Sequence, residues 1–262
     1  MPVRYADKAW GKRAALLPGA AARAALDALL PPLSPLSTEP VSRAGDVSAT
    51  LWGALDFIEA PFCDTCGTPF SFEVEGAAVC GACAARPPRY GKARSALAYD
   101  DASRKLVLAF KHGGRRDALP AFADWMARAA GPLLEEADYI APVPLHYSRL
   151  IRRRFNQSGV LARALAARSG AVFDPDSLYR RRRTQTQAGK TRRGRRRNVA
   201  GAFAVRQSAA DRMRGARVLL IDDVLTTGAT LEACARALRQ AGAVEVNAVT
   251  LARVAKPLDP LA

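Results

Sequence analysis

The sequence contains no run of eighteen apolar residues, so no membrane-spanning helix is expected among its 262 residues. A clear export signal is also missing. Residues 14–30 are apolar and rich in alanine, but Pro18, Arg23 and Asp27 interrupt them and no clean cleavage site follows a charged start. We interpret this stretch as an amphipathic helix, with a signal peptide as the less favoured alternative. Since 49% of the residues are apolar, a buried core can form, and we expect a folded cytoplasmic protein.

Cysteine is scarce, but its spacing is informative. Four of the five cysteines form two Cys-x-x-Cys pairs, Cys63 with Cys66 and Cys80 with Cys83, while Cys234 is alone and is expected to be a small core residue. In a chain without an export signal, such pairs favour metal binding over disulfides. Four thiolates suit a structural tetrahedral Zn²⁺ site, which would supply folding energy to a segment poor in apolar residues. A redox dithiol pair and ordinary buried cysteines are the alternatives.

The residues before these cysteines resemble a second copy of the same module. Ser34 and Ser37 precede the first pair by twenty-nine residues, and Ser48 and Leu51 precede the second pair by thirty-two. Serine and leucine are poor zinc ligands. We therefore hypothesise a duplicated zinc ribbon whose first copy is degenerate and metal-free, and whose second copy, residues 60–86, binds one zinc ion. Chance similarity within a segment rich in proline and serine is the alternative.

Beyond residue 90 the sequence alternates strand-like and helix-like segments. The apolar strands YIAPVP, RVLLIDD and VEVNAVTLA are separated by segments with helical spacing, such as SGVLARALAARSG and TLEACARALRQAG. This alternation predicts an α/β fold with a mostly parallel sheet flanked by helices on both faces. We therefore divide the chain into residues 1–90, an N-terminal helix and zinc-ribbon module, and residues 91–262, a larger α/β domain.

The most informative stretch joins a strand to a helix. The apolar residues Val218–Ile221 predict a buried strand that ends at Asp222 and Asp223, and the loop Val224–Thr230 leads into the helix. Ligands of open α/β sheets bind at the carboxyl ends of the strands. Free N–H groups at a helix start favour a phosphate there, and Gly228 would let the backbone approach it. No Gly-Lys-Thr follows a glycine at the spacing of a Walker A loop.

The polar residues of this stretch suit a phosphorylated ribose. Threonine hydroxyls add hydrogen-bond donors, and ionised carboxylates can accept hydrogen bonds from two ribose hydroxyls or hold Mg²⁺, directly or through water. An ordinary strand–turn–helix with exposed acids is the alternative, since Thr-Gly-x-Thr alone is a weak signal. The complete string resembles the phosphoribosyl-diphosphate (PRPP) signature of type I phosphoribosyltransferases and implies their fold. The PRPP-binding residues that this resemblance implies are Asp222, Asp223, Thr226, Thr227, Gly228, Ala229 and Thr230.

The same resemblance implies a reaction and a second binding loop. Type I enzymes bind PRPP with Mg²⁺, and a nitrogen nucleophile displaces pyrophosphate from C1 of the ribose, which is a pentosyl transfer. A loop after the first strand of the domain holds the pyrophosphate, and the matching residues here are Pro144, Leu145, His146 and Arg149. His146 is a candidate catalytic acid or base, with a positioning role as the alternative. Enzymes that use 6-oxopurines carry an aspartate where Thr226 stands, which argues against that substrate class.

Acidic residues are nearly missing from residues 149–197. This segment holds sixteen Lys or Arg, and its only acidic residues are Asp174 and Asp176. It therefore carries +14 of the net charge of +16. Its most basic part, residues 180–197, is predicted to be a flexible loop that matches the mobile lid of type I enzymes. Ten cations are more than one PRPP molecule needs, so the loop could also bind the phosphates of single-stranded DNA. Few aromatic residues flank the loop for base stacking. A solvated basic surface is the third alternative. The residues expected to act in this loop are Arg183, Gln187, Lys190, Arg192 and Arg193.

The order of these parts resembles the ComF family of bacterial proteins (ComFC- or GntX-like) over nearly the whole chain. The segments that carry the resemblance are Arg154–Gln157, Thr184–Gln187 and Arg197–Phe203. It implies a double zinc ribbon and a link to DNA uptake during natural transformation. Two functions remain open: an enzyme that transfers phosphoribosyl to an unidentified nitrogen acceptor, and a non-catalytic protein that senses PRPP or a nucleotide, or holds single-stranded DNA. The oligomeric state is open as well, a homodimer included.

Overall fold

The computed structural model describes residues 30–35, 37, 39–43, 45–112, 117–145, 155–182 and 192–254. Its centre is a five-stranded parallel sheet in the order β1-β7-β6-β2-β3, and a two-stranded antiparallel sheet pairs β4 with β5. The strands are β1 (Ala93–Ala98), β2 (Tyr139–Pro142), β3 (Val172–Phe173), β4 (Leu178–Arg180), β5 (Phe203–Val205), β6 (Arg217–Leu225) and β7 (Glu245–Arg253). The predicted α/β architecture with a mostly parallel sheet is confirmed.

Helices cover both faces of the sheet. Those in the described ranges are α1 (Ala49–Ala54), α2 (Gly81–Ala85), α3 (Asp101–His112), α4 (Leu119–Ala130), α5 (Pro132–Glu135), α6 (Gln157–Ala166), α7 (Arg192–Val199), α8 (Ala210–Met213) and α9 (Ala229–Gln240). A short 3-10 turn, Gln207–Ala209, precedes α8. Every helix in the described part of the chain is too short or too polar to cross a bilayer.

The central strand β6 shows why the sheet is buried on both sides. Its side chains alternate between two cores, because successive residues of a strand point to opposite faces. Leu219 and Ile221 join the core formed with α3, α4 and α6, whereas Val218 and Leu220 join the core formed with α9 and the β4–β5 sheet. Four consecutive apolar residues are therefore needed in this strand, which is the pattern that the sequence displays.

The strand order creates a crevice between β2 and β6. These strands are neighbours, but β2 continues through α6 to β3 on one side of the sheet, whereas β6 continues through α9 to β7 on the other. Ligands of open α/β sheets bind at such a reversal, outside the carboxyl ends of the strands. The two segments that the sequence singled out follow Pro142 in β2 and Ile221 in β6. These two residues are register partners, so both segments lie at this reversal.

Two predicted boundaries are wrong. Strand β6 extends to Leu225, so Asp222 and Asp223 lie within it, because β7 continues to pair with it through Arg253. The proposed basic loop 180–197 is ordered at both ends. Arg180 belongs to β4, where its guanidinium lies 5.0 Å from the Phe203 ring centre, and residues 192–197 belong to α7. Arginine favours helices, and the buried Val199 anchors α7 to the core formed with α9.

Several sequence predictions fall outside the described residues. These are residues 14–29 of the helix predicted at 14–30, residues His146 and Arg149 of the pyrophosphate loop, and residues Arg183, Gln187 and Lys190 of the basic loop. Arg192 and Arg193 lie on α7.

Candidate functional site

Two acidic residues occupy the end of β6 at the crevice. The Asp222 Oδ1 atom accepts hydrogen bonds from the Ser158 hydroxyl and from the backbone N–H of Asp223, both at 2.9 Å. Burial, and then the charge of Asp223, raise the pKa of Asp222 to about 7, although its hydrogen bonds and the Lys111 charge act in the opposite direction. The carboxylate of Asp223 pairs with the Lys111 ammonium at 2.9 Å, and the Lys111 and Asp223 side chains are 16% and 15% exposed. The acid pair is therefore crowded, poorly solvated and only partly neutralised.

Three consecutive polar residues at the start of α6 assemble this site. The Asn156 side-chain amide donates to the carbonyl of Val143, directly after β2, at 3.2 Å. The Gln157 amide donates to the carbonyl of Lys111, near the end of α3, at 3.3 Å, and Ser158 reaches Asp222. Sequence reasoning used Asn156 and Gln157 only as family markers and missed the contacts of Ser158 and Lys111. The polar cluster that directly follows Phe155 and begins a helix was the available signal.

A tight turn leads from β6 into α9. Gly228 caps the helix with φ of +75°, a left-handed conformation that other residues adopt at a cost. A Cβ atom at this position would lie 3.2 Å from the Tyr90 hydroxyl oxygen, a tight contact that Tyr90 would have to relieve by a small shift. Ala229 and Thr230 begin the helix, and the first backbone N–H groups of a helix point out of its end. Thr226 is exposed, and the Thr227 hydroxyl is buried with no hydrogen-bond partner among the described residues.

The segment after β2 reaches the same edge of the sheet. The backbone N–H of Val143 donates to the carbonyl of Ile221 at 2.9 Å, and Pro144 and Leu145 follow, both half-buried. The structure thus brings Pro144 and Leu145 to the edge where Asp222 and Asp223 lie.

The four paired cysteines form a metal-ligating cluster. Their sulfur atoms lie within 4.8 Å of one another, and all four side chains are buried. A tetrahedral Zn²⁺ with Zn–S distances of about 2.3 Å requires sulfurs about 3.8 Å apart. The Cys66 and Cys80 sulfurs are 3.8 Å apart, and the Cys63 sulfur accepts backbone N–H groups from Cys66 at 3.5 Å and Cys80 at 3.2 Å. The donor set and its spacing fit a closed structural zinc site.

The preceding segment has the same fold as this cysteine ribbon. An antiparallel bridge joins Leu33 to Pro40, as another joins Phe62 to Pro69 twenty-nine residues later. The corresponding hydrogen bonds recur at that offset: Ser34 N–H to Glu39 O and Val41 N–H to Pro32 O match Cys63 N–H to Thr68 O and Phe70 N–H to Pro61 O. Such a repeated bonding pattern does not fit an irregular linker.

A serine hydroxyl replaces the metal ligand in this first copy. The Ser34 Oγ atom accepts the backbone N–H of Ser48 at 2.9 Å, as the Cys63 sulfur accepts that of Cys80. Ser48 then caps α1 through the Leu51 N–H, at the position where Cys80 precedes α2. Both serines are buried. Direct hydrogen bonds thus stabilise this copy where the second copy has its sulfur cluster.

Comparison with known proteins matches both parts of the chain. Residues 25–84 match the family model described as "Double zinc ribbon domain", and residues 122–261 match "Phosphoribosyl transferase domain". The chain is 32% identical to "DNA utilization protein YhgH" of Salmonella typhimurium over 198 aligned residues. The alignment covers 73% of this chain and 83% of the relative.

Two further relatives carry names linked to competence. "Competence protein F" of Haemophilus influenzae is 29% identical over 74% of this chain and 85% of its own length. "Competence protein ComFC" of Bacillus subtilis is 28% identical over 75% of this chain and 79% of its own length. These matches extend through about three quarters of the chain.

Proposed function

The chain belongs to the ComF family, in which a double zinc ribbon precedes a phosphoribosyl transferase domain, and on that premise we propose that it binds PRPP with Mg²⁺ and transfers phosphoribosyl to a nitrogen acceptor. In this proposal Asp222 and Asp223 hold the ribose hydroxyls. Thr226, Thr227, Gly228, Ala229 and Thr230 hold the 5-phosphate. The names of the relatives suggest that the activity serves DNA uptake or utilisation.

One observation carries this proposal: an acid pair and a glycine-capped helix start are separated by only a short turn at the crevice. The carboxylates accept hydrogen bonds, which suits ribose hydroxyls, and the helix start offers N–H groups, which suit a phosphate. A sugar phosphate carries both kinds of group a few bonds apart. The left-handed Gly228 and the buried Thr227 hydroxyl at this turn are further features that a bound phosphate would use.

The surroundings of the acid pair favour a bound cation. Burial, and then the charge of Asp223, raise the pKa of Asp222, and the Lys111 ammonium offsets this only in part. Oxygen ligands from two carboxylates suit Mg²⁺. Bound there, Mg²⁺ would neutralise charge on the pyrophosphate as it leaves.

The chain itself would contribute position and charge. Asp222 and Asp223 orient the ribose, and the Ser158 hydroxyl keeps the Asp222 carboxylate in place. The Lys111 ammonium, 2.9 Å from Asp223, would add positive charge beside the acid pair, where the negatively charged ligand would bind. Leu145 and its neighbours would offer backbone donors to the pyrophosphate, and His146 stays a predicted acid or base or a positioning residue. Such preorganised charge is the main source of rate in a displacement of this kind.

Replacement of Asp223 by asparagine tests the binding step. PRPP with Mg²⁺ should raise the melting temperature of the wild-type protein, and the Asp223→Asn variant should lose that increase. Asp211→Asn is the matched control, because Asp211 is 92% exposed and lies on α8, away from the crevice in sequence and fold. An Asp223→Asn variant that PRPP stabilises as well as the wild type would contradict the proposed role of the acid pair. A screen for pyrophosphate release from PRPP across candidate bases then tests turnover.

A second candidate function is binding of single-stranded DNA without catalysis. The observation that favours it is a basic, aromatic strip on the β4–β5 sheet. Arg180 lies over Phe203, and Arg206 lies 5.1 Å from the Tyr179 ring centre. Arg181 and Arg182 follow directly and are exposed. Exposed guanidinium groups suit a phosphate backbone, whereas the buried Phe203 ring, covered by Arg180, is not available to stack on bases.

Salt dependence separates this alternative from PRPP binding. Single-stranded DNA affinity should fall steeply with salt, by a slope of about 0.7 per phosphate contact on logarithmic axes. Replacing Arg181, Arg182 and Arg183 by alanine should reduce that slope, while Arg180 is retained because it packs on Phe203. Lack of DNA binding at low salt would exclude this role.

A further inference from the structure

The side chain of Arg253 connects the sulfur cluster to the central sheet. Arg253 is the last residue of β7 and is 9% exposed. Its guanidinium donates to the Cys66 carbonyl at 2.6 Å, to the Cys66 sulfur at 3.5 Å and to the Thr68 hydroxyl. Cys66 and Arg253 are 187 residues apart in sequence. Two parts of the chain that are distant in sequence therefore meet at one buried cation.

The counter-charge of Arg253 comes from the cysteine ribbon. Among the described residues no carboxylate forms an ion pair with this guanidinium, and a buried cation without a partner is costly. A zinc ion held by four thiolates carries excess negative charge on its sulfurs. The Cys66 thiolate thus supplies the negative partner that Arg253 needs, and Arg253 in turn donates a hydrogen bond to a metal ligand.

The backbone of Arg253 contacts the strand that leads into the glycine-capped turn. Arg253 is the register partner of Leu225, and the N–H of the next residue, Val254, donates to the Leu225 carbonyl at 2.9 Å. Leu225 directly precedes the turn at Thr226, Thr227 and Gly228. The end of β6 is thus paired with the backbone at Arg253, whose side chain contacts the sulfur cluster.

A second contact runs in parallel through Tyr90. This buried ring packs against Gly228, and burial, with the nearby Cys66 charge, raises the pKa of its hydroxyl. The Thr65 carbonyl accepts the Ala93 N–H at 2.8 Å, which fastens the ribbon to the start of β1. The ribbon is therefore fastened to the start of β1, three residues after Tyr90, and Tyr90 borders the turn.

We propose that Arg253 is a positioning residue that couples the zinc centre to the turn at residues 226–228. Loss of zinc removes the constraint that holds Cys66 in place against the Arg253 guanidinium, so the ends of β6 and β7 loosen together. The zinc ribbon then acts as a support for the candidate phosphate site as well as a separate module. The consequence for PRPP rests on the proposed function, but the coupling itself does not.

Arg253→Lys tests the coupling, because lysine keeps the charge but cannot bridge Cys66 and Thr68 as a planar fork. The variant should release zinc to a chromogenic chelator about tenfold faster, as expected when a partner of a metal ligand is lost. Backbone amides of residues 219–232 should exchange with deuterium several-fold faster. Arg239→Lys is the matched control, because Arg239 is exposed and also donates to two backbone carbonyls, those of Arg89 and Val244. Faster zinc release with unchanged exchange at 219–232 would overturn the coupling.

Two further measurements test the coupling even if the Arg253→Lys variant does not fold. Thr68→Val removes one acceptor of Arg253 and should change both readouts in the same direction by a smaller factor. Chelation of zinc from the wild-type protein should accelerate exchange at 219–232 directly, and unchanged exchange there would also overturn the proposal. The PRPP affinity of Arg253→Lys should be about tenfold weaker. If the wild type does not bind PRPP at all, the proposed function fails, while zinc release and amide exchange still decide the coupling.

Discussion

Replacing Asp222 by asparagine should stabilise the ligand-free protein increasingly as the pH rises from 5 to about 7, and by a constant amount above that. The amide oxygen of asparagine can still accept the hydrogen bonds of Ser158 and of the Asp223 N–H. The substitution therefore removes the charge and keeps the acceptor. What it removes is the free-energy cost of ionising a half-buried carboxyl group beside Asp223.

The sign follows from the raised pKa of Asp222. Between its unfolded value of 3.8 and its folded value of about 7, the native state holds a proton that the unfolded chain has released. The free energy of unfolding of the wild type therefore falls as the pH rises through that window and is level above it. Each pH unit within that window changes the free energy of unfolding by about 1.4 kcal/mol. The wild type should therefore lose roughly 2 to 3 kcal/mol of stability relative to the variant between pH 5 and 8.

Urea unfolding followed by tryptophan fluorescence at several pH values measures this difference, with zinc present and without Mg²⁺ or PRPP. Asp138→Asn is the matched control. Hydrogen bonds from the Arg217 backbone and side chain lower the pKa of Asp138, so both states are ionised above pH 5 and its effect should not vary there. A difference between Asp222→Asn and wild type that is as level as the control would refute a buried, protonated Asp222.

The remaining predictions concern the first ribbon copy and Lys111. Elemental analysis should find one zinc ion per chain, and two would contradict a metal-free first copy. Ser34→Ala should lower the free energy of unfolding by about 1 to 3 kcal/mol, because the Ser48 N–H loses its acceptor, whereas Ser42→Ala, at an exposed position, should change it by less than about 0.5 kcal/mol in the same urea titration. Lys111→Met should bind Mg²⁺ several-fold more tightly in isothermal titration calorimetry, since the acid pair loses its ammonium partner. Unchanged Mg²⁺ affinity would argue against a metal at the acid pair.

The sequence by itself determined the features that depend on local order. The cysteine spacing predicted the sulfur cluster, and the apolar run before Asp222 predicted the central strand, because neighbouring residues impose these patterns. The twenty-nine-residue offset between the two ribbons was also visible, since a repeated fold keeps its spacing even when Ser34 replaces a cysteine. The end of β6 was missed, because the partner strand β7, rather than local composition, extends it to Leu225.

Only the tertiary structure decided how the site is held and charged. Ser158 meets Asp222 across 64 residues and Arg253 meets Cys66 across 187, and no periodicity identifies such partners. The pKa of Asp222 likewise depends on burial and on charges a few ångströms away, and these exist only once β6, α3 and α6 have packed together. Local patterns specify which face a residue occupies, but the group that lies opposite is set by how distant segments pack.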